Sequence, residues 1–80
     1  MMNVNVLAFG IAKDIFGKSS ISLDMSGSTA ADLKRSLERQ YPRLKQLSSY
    51  MVAVNNEYAS DDAELTVRDE IAIIPPVSGG

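Results

Sequence analysis

The last ten residues, Ile71-Ala72-Ile73-Ile74-Pro75-Pro76-Val77-Ser78-Gly79-Gly80, decide how the chain is read. Ile71 to Ile74 is a continuous apolar run rich in β-branched residues, the pattern of a strand covered on both faces. Pro75 and Pro76 end it. Neither has an N–H to give a ladder, and Pro75 also keeps Ile74 out of the helical region. Two prolines favour an extended, hydrated backbone, so the chain is expected to leave the body as a short stiff rod. Residues 1–74 are therefore read as one folded body and residues 75–80 as a flexible C-terminal tail. Past Val77 and Ser78, Gly79 and Gly80 have no Cβ, and the last group is the α-carboxylate of Gly80.

This ending suggests that the terminal carboxylate is the working group. Glycines let a backbone enter a channel too narrow for side chains. Six residues reach about 20 Å at roughly 3.3–3.6 Å each, enough to enter a partner's site while the body docks outside. A bare Gly-Gly end reads as a frayed terminus. Joined to a core strand through Pro-Pro, it reads as a carrier arm.

Working outward from the tail, Val4 to Phe9 is mostly apolar and is expected to be a central strand ended by Gly10. Ile11 to Phe16 suits a single helical turn closed by Gly17; it either faces a partner or caps the core with Ile11, Ile15 and Phe16. Ser20 to Met25 alternates strictly, as an edge strand with Ile21, Leu23 and Met25 inward. Thr29-x-x-Asp32 has the form of a capping box, with Ser28 as the other candidate cap. Behind it Ala30, Leu33, Leu37 and Tyr41 form one apolar helical stripe that Pro42 terminates. Leu44 and Leu47 fall in a connecting segment. Tyr50 to Val54 reads as a third strand, Asn55-Asn56 as a tight turn, and Glu57 to Ala59 as a short fourth strand. Leu65 and Val67 are expected to anchor the loop that leads through Asp69-Glu70 into the final strand. With the first and last strands the most apolar, they belong side by side at the centre. The fold class is α+β: a β-grasp of about five strands in a mixed sheet, with one main helix across one face.

Two charge clusters invite functional readings. Lys34, Arg35, Arg39, Arg43 and Lys45 either meet an acidic partner or form a solvated helix face. Asp61, Asp62 and Glu64 lie close together, but no histidine and no calcium-loop glycine accompanies them.

Composition narrows the function classes. Eighty residues, 45% hydrophobic and 22% charged, make one globular domain. Without cysteine or histidine, the chain lacks the usual metal ligands and the commonest general base near neutral pH. A net charge of −2 offers no basic field for nucleic acid or an anionic membrane. Val4 to Ala12 is preceded by no positive residue and interrupted early by Lys13 and Asp14, unlike a signal peptide. The expectation is a cytoplasmic protein with no nucleic-acid or membrane partner. Neither a Gly-x-x-x-x-Gly-Lys-[Ser/Thr] loop nor Gly-x-Gly-x-x-Gly occurs, so any activation of the carboxylate by nucleotide falls to another protein.

Pro75-Pro76-Val77-Ser78-Gly79-Gly80 resembles the C-terminal signature of the small, sulfur-carrier subunits of molybdopterin synthase, a ubiquitin-like β-grasp family. Phe9 to Gly17 is similar to that family's Phe-Ala-x-x-Arg-Glu-Leu-x-Gly stretch, with Lys13-Asp14 in place of Arg-Glu. Val52 to Asn55 and Asp69 to Ala72 resemble its third strand and its approach to the last; Arg68 stands where the family has Gly. The resemblance covers essentially the whole chain.

That resemblance implies a function. An E1-like adenylyltransferase and sulfurylase would form an acyl-adenylate on Gly80, using ATP and a sulfur donor, and convert it to a thiocarboxylate. The large synthase subunit would receive the tail and use the sulfur to build the molybdopterin dithiolene. This chain would bind no cofactor and no metal; its reacting residues would be Gly80 and Gly79. Phe9, Ile74, Pro75, Pro76, Val77 and Ser78 would contact the partner in a heterotetramer whose catalytic side chains lie on the large subunit. Two relatives in chemistry remain open, a thiazole-pathway sulfur carrier and a ubiquitin-like modifier, as does a pure interaction module.

Overall fold

The computed structural model describes residues 2–47 and 50–75. Strand β1 (Met2–Ala8) starts earlier than the apolar run suggests and stops one residue short of Phe9. It alternates: Val4, Val6 and Ala8 are buried, Asn3 and Asn5 are exposed, and Leu7 is half-buried. Gly10 follows at φ 56°, a conformation side chains avoid. Helix α1 (Ile11–Phe16) then makes its short turn, closed by Gly17. It caps the core with Ala12 and Phe16, while Ile11 is 48% exposed.

Strand β2 (Ser20–Met25) pairs antiparallel with β1 and buries Ile21, Leu23 and Met25, as its alternation requires. Helix α2 (Ala30–Gln40) begins at a complete capping box. Thr29 Oγ1 accepts the Asp32 N–H at 3.2 Å. Asp32 Oδ2 accepts the N–H groups of Thr29 and Ser28 at 3.2 and 3.1 Å. The bonds to the carboxylate, the Thr29 N–H first, then the Thr29 hydroxyl at 2.9 Å, the Arg35 guanidinium and the Ser28 N–H, lower the Asp32 pKa from 3.8 to about 2. Gly27 makes room for this carboxylate: a Cβ there would lie 2.2 Å from Asp32 Oδ2.

The helix presents Ala30, Leu33 and Leu37, all fully buried, to the sheet. Burying each leucine contributes about 1.5–3 kcal/mol. Tyr41, its C-cap, is half-buried and its ring centroid lies 4.7 Å from that of Phe16. Residues Pro42–Gln46 are not a plain connection but a 3-10 helix that starts at the proline and drives Leu44 fully into the core.

Strands β3 (Met51–Val54) and β4 (Glu57–Tyr58) form a hairpin across Asn55-Asn56. Both asparagines have positive φ, 53° and 69°, the geometry of a primed turn. Strand β5 (Ile71–Ile74) completes a five-stranded sheet of order β2-β1-β5-β3-β4. It runs parallel to β1 and antiparallel to β3, so the first and last strands are neighbours as expected. This is the β-grasp topology.

Two further expectations are corrected. Strand β5 is covered on one face only: Ile71 and Ile73 are fully buried, whereas Ala72 and Ile74 are half-exposed because α2 packs against a single side. Of the supposed loop anchors, Leu65 is buried but Val67 is 60% exposed in a turn. That turn spans residues 66–69, where the Asp69 N–H donates to the Thr66 carbonyl at 3.2 Å. Arg68 within it has no positive φ, so the position does not need glycine.

Candidate functional site

The uncovered face of the sheet is built by alternation. Each strand that sends Val6, Ile73 or Val52 inward sends the next residue outward. The registers Leu7↔Ala72, Ala72↔Ala53 and Ala53↔Tyr58 therefore align four small or apolar residues in one row across the open side. The next row includes Ile74 beside Met51. Phe9 (51% exposed), Met51 (47%) and Tyr58 (69%) leave large apolar area in water. Leu7, Phe9, Ala53, Tyr58, Ala72 and Ile74 line an open groove of about 360 Å³ whose polar margin is Asn56 and Glu70. The opposite end of the same face is polar, where Asn3 Nδ2 donates to Asp24 Oδ1 at 2.7 Å and Ser22 Oγ to Asn3 Oδ1 at 2.9 Å. Apolar character therefore increases toward the end at which β5 leaves the sheet. Such a graded apolar face is what a protein partner covers.

Three of the residues predicted to bind a partner lie together here. Ile74 is half-buried at the end of β5 and Phe9 is exposed after β1. Pro75, half-buried, rests against the β1–α1 turn. A Cβ at Gly10 would lie 3.3 Å from Pro75 Cγ, tight enough to force the proline or the turn to shift. Thus the root of the tail is held by the segment that carries Phe9. Pro76, Val77, Ser78, Gly79 and Gly80, with the proposed rod and terminal carboxylate, lie outside the described residues.

Leu7, Ala53, Ala72, Met51 and Tyr58 complete the face and were not singled out from sequence. Their signal was present in the alternation of β1 and in Ala72 and Ile74, and the two-sided reading of β5 concealed it.

Several members of the charged clusters make local contacts. Lys34 Nζ pairs with Asp61 at 2.9 Å, and Arg35 pairs with Asp32. In the acidic loop, Ser60 Oγ donates to Asp62 at 2.7 Å and Ser28 Oγ to Glu64 at 2.6 Å, so each acid serves a different contact. Tyr50 OH donates to Glu38 at 2.5 Å; burial first, then this carboxylate, pushes the phenol well above its ordinary range. Among the described residues no helix is long and apolar enough to cross a membrane.

Comparison with known proteins agrees with this geometry. The ThiS family profile matches residues 6–80. A molybdopterin synthase sulfur carrier subunit of Dictyostelium discoideum is 44% identical over 80 residues, spanning 94% of this chain and 93% of its own. Among solved structures, the small archaeal modifier protein 1 (SAMP1) of Methanosarcina acetivorans superposes with a TM-score of 0.82 and 28% identity. That match covers 100% of this chain and 98% of the archaeal one. A protein–protein complex of subunits 1 and 2 of molybdopterin-converting factor from Helicobacter pylori 26695 has a chain of the same fold. Its TM-score is 0.67 at 24% identity, covering 99% of this chain and 100% of that one. Full-length sequence identity, the family profile and a shared β-grasp topology agree: the chain belongs to the ThiS family.

Proposed function

We propose that this chain is the sulfur-carrier subunit of a molybdopterin synthase, delivering sulfur from a thiocarboxylate at Gly80. The observation that carries the reading is where β5 ends. The central strand of the sheet runs out through Pro75 at the apolar end of the open face, so a tail starting there emerges beside a docking surface. The body would bind the large synthase subunit through Phe9, Ile74 and the row Leu7–Ala72–Ala53, burying an area on the order of 1,600 Å² in total. The two-subunit complex formed by the Helicobacter pylori protein of the same fold supports such a partner. The tail would then extend into the partner's site, where the partner supplies the acid and base groups.

Chemistry sets the order of steps. A carboxylate is a poor electrophile. An activating partner would join the Gly80 carboxylate to AMP from ATP, with pyrophosphate leaving. A sulfur nucleophile would then displace AMP, leaving C(=O)S⁻ at the terminus. This chain binds neither ATP nor the sulfur donor in this scheme. Its part is to present a thin, Cβ-free end on a rigid base. Dependence on an ATP-using partner favours a cytoplasmic setting. The likeness to archaeal modifier proteins favours one rival, a modifier that forms isopeptide bonds to lysines, for which a ladder of conjugates in cells would be the sign.

Intact mass spectrometry tests the reading. After incubation with ATP, the activating enzyme and a sulfur source, the chain should gain the mass of one oxygen exchanged for sulfur, located to the C-terminal fragment. A chain that stays unmodified, or carries sulfur elsewhere, contradicts it.

A further inference from the structure

Glu70 stands one residue before β5, on the margin of the groove lined by Leu7, Phe9, Ala72 and Tyr58. Its backbone is fixed at both polar groups by a single neighbour. The Glu70 N–H donates to Asn55 Oδ1 at 3.0 Å, and its carbonyl accepts the Asn55 N–H at 2.8 Å. Asn55 Nδ2 in turn donates to Asp69 Oδ1 at 3.0 Å, so both side-chain groups of the turn residue are engaged. The β3–β4 turn and the foot of β5 are thereby locked together. The Glu70 carboxylate is exposed. Among the described residues the ion pairs are Lys34–Asp61 and Arg35–Asp32, and neither involves it.

Resting on the docking reading above, we propose that Glu70 sets the charge register of that docking: the partner surface covering the open face brings a lysine or arginine to this carboxylate. A partner that seats on Leu7, Ala72 and Tyr58 brings its surface up to a carboxylate at the margin of the same groove. Desolvating a lone carboxylate opposes binding strongly, and a cation placed opposite it restores what the water supplied. The anchored backbone makes Glu70 a fixed point, suited to selecting one orientation of the partner over a slid or rotated one. Apolar contacts alone are not directional, and a flat row of Leu, Ala and Tyr would tolerate such sliding.

The test measures affinity for the large molybdopterin synthase subunit of the same organism at low and at high salt, using native chain, Glu70→Gln, Glu70→Lys and Phe9→Ala. Glu70→Gln should weaken binding about tenfold at low salt and Glu70→Lys about a hundredfold, with both differences shrinking as salt screens the pair. Thermal stability should be unchanged, because the Glu70 side chain makes no intramolecular hydrogen bond among the described residues. Native affinity in Glu70→Gln while Phe9→Ala is weakened overturns the charge register but leaves the docking face standing. So does a Glu70→Gln loss that salt does not alter. Native affinity in Phe9→Ala as well means that the docking face itself is misplaced, and the register with it.

Discussion

Leu7 of β1 and Ala72 of β5 stand side by side in parallel register on the uncovered face of the sheet. Their neighbours one residue on in each strand, Ala8 and Ile73, are paired and buried on the other face. One register therefore builds the core beneath the helix and the apolar surface above it. The strand that leads to the tail is the middle one of the five, paired with β1 on one side and β3 on the other.

Leu7→Ser and Phe9→Ala should each weaken binding of the large synthase subunit by about 1–2 kcal/mol, the range of central interface residues. Val77→Ala should act in the same direction. Phe9 is half in water already, so its truncation should move the thermal midpoint by only a few degrees. Calorimetric titration beside thermal unfolding checks this. Unchanged affinity in a folded variant would place the interface elsewhere.

Leu37→Ala and Leu44→Ala should each cost about 2–5 kcal/mol, since both side chains are fully buried. A domain of this size has a margin of roughly 3–5 kcal/mol, so either change should leave a marginal fold. Urea titration measures it. A loss below about 1 kcal/mol for Leu44→Ala would mean that the 3-10 segment does not close the core.

Local signals were the legible ones. The alternation of Ser20 to Met25, the Thr29–Asp32 capping box and the Asn55-Asn56 turn each carry their geometry in the residue types themselves. The placing of β1 beside β5 at the centre of the sheet followed from the apolar character of both strands, whereas their parallel direction is read from the structure. What was not legible depends on distant chain. Leu44 follows a proline and looks like linker, and only its packing in the shared core reveals a role. A four-residue apolar run cannot by itself distinguish one covered face from two, so the outward row through Ala72 was missed. Val67 reads as an anchor because it is apolar, although the turn set by Thr66 and Asp69 leaves it in solvent. In the candidate site, Phe9, Ile74 and Pro75 are expected at a partner because they surround the base of the tail, and the structure brings these three together. Other residues of the face, Leu7 and Tyr58 among them, needed the register.

Acid should weaken the start of α2. The folded pKa of Asp32 is depressed, from 3.8 to about 2, so its contribution to stability is fully present above pH 3.8 and is lost as pH falls through about 2. Asp69 is depressed too, by the Thr66 N–H first and then by Asn55, and acts in the same direction. Asp32→Asn should therefore show a shallower fall of the thermal midpoint between pH 4 and 2 than the native chain, flattening in the window set by that shift. Thr29→Ala, which removes the reciprocal half of the box, should cost about 0.5–2 kcal/mol at neutral pH. Parallel acid curves for native and Asp32→Asn proteins would contradict the assignment.

Ultraviolet titration of the phenols should show one tyrosine ionising well above the ordinary value of 10.0. Tyr50→Phe should remove that late component, because burial and the Glu38 carboxylate both oppose its phenolate. If the component persists in the variant, Tyr50 is not held as described.

The role assigned to Gly80 is tested most directly by molybdopterin formation in a chain with one residue appended after it. The extra residue moves the reactive carbon by about 3.5 Å. Reactions that depend on positioning can lose roughly a hundredfold for a misplacement of about 1 Å. Deleting Gly80 shortens the reach by the same step, and Gly79→Val puts a branched side chain where the backbone must pass bare. None of these changes touches the sheet or α2, so folding and thiocarboxylate formation can be scored separately. The expected result for the extended chain is native thermal stability with no thiocarboxylate and no molybdopterin. Full molybdopterin formation from an extended chain whose added residue is still in place would show that Gly80 is not the sulfur carrier.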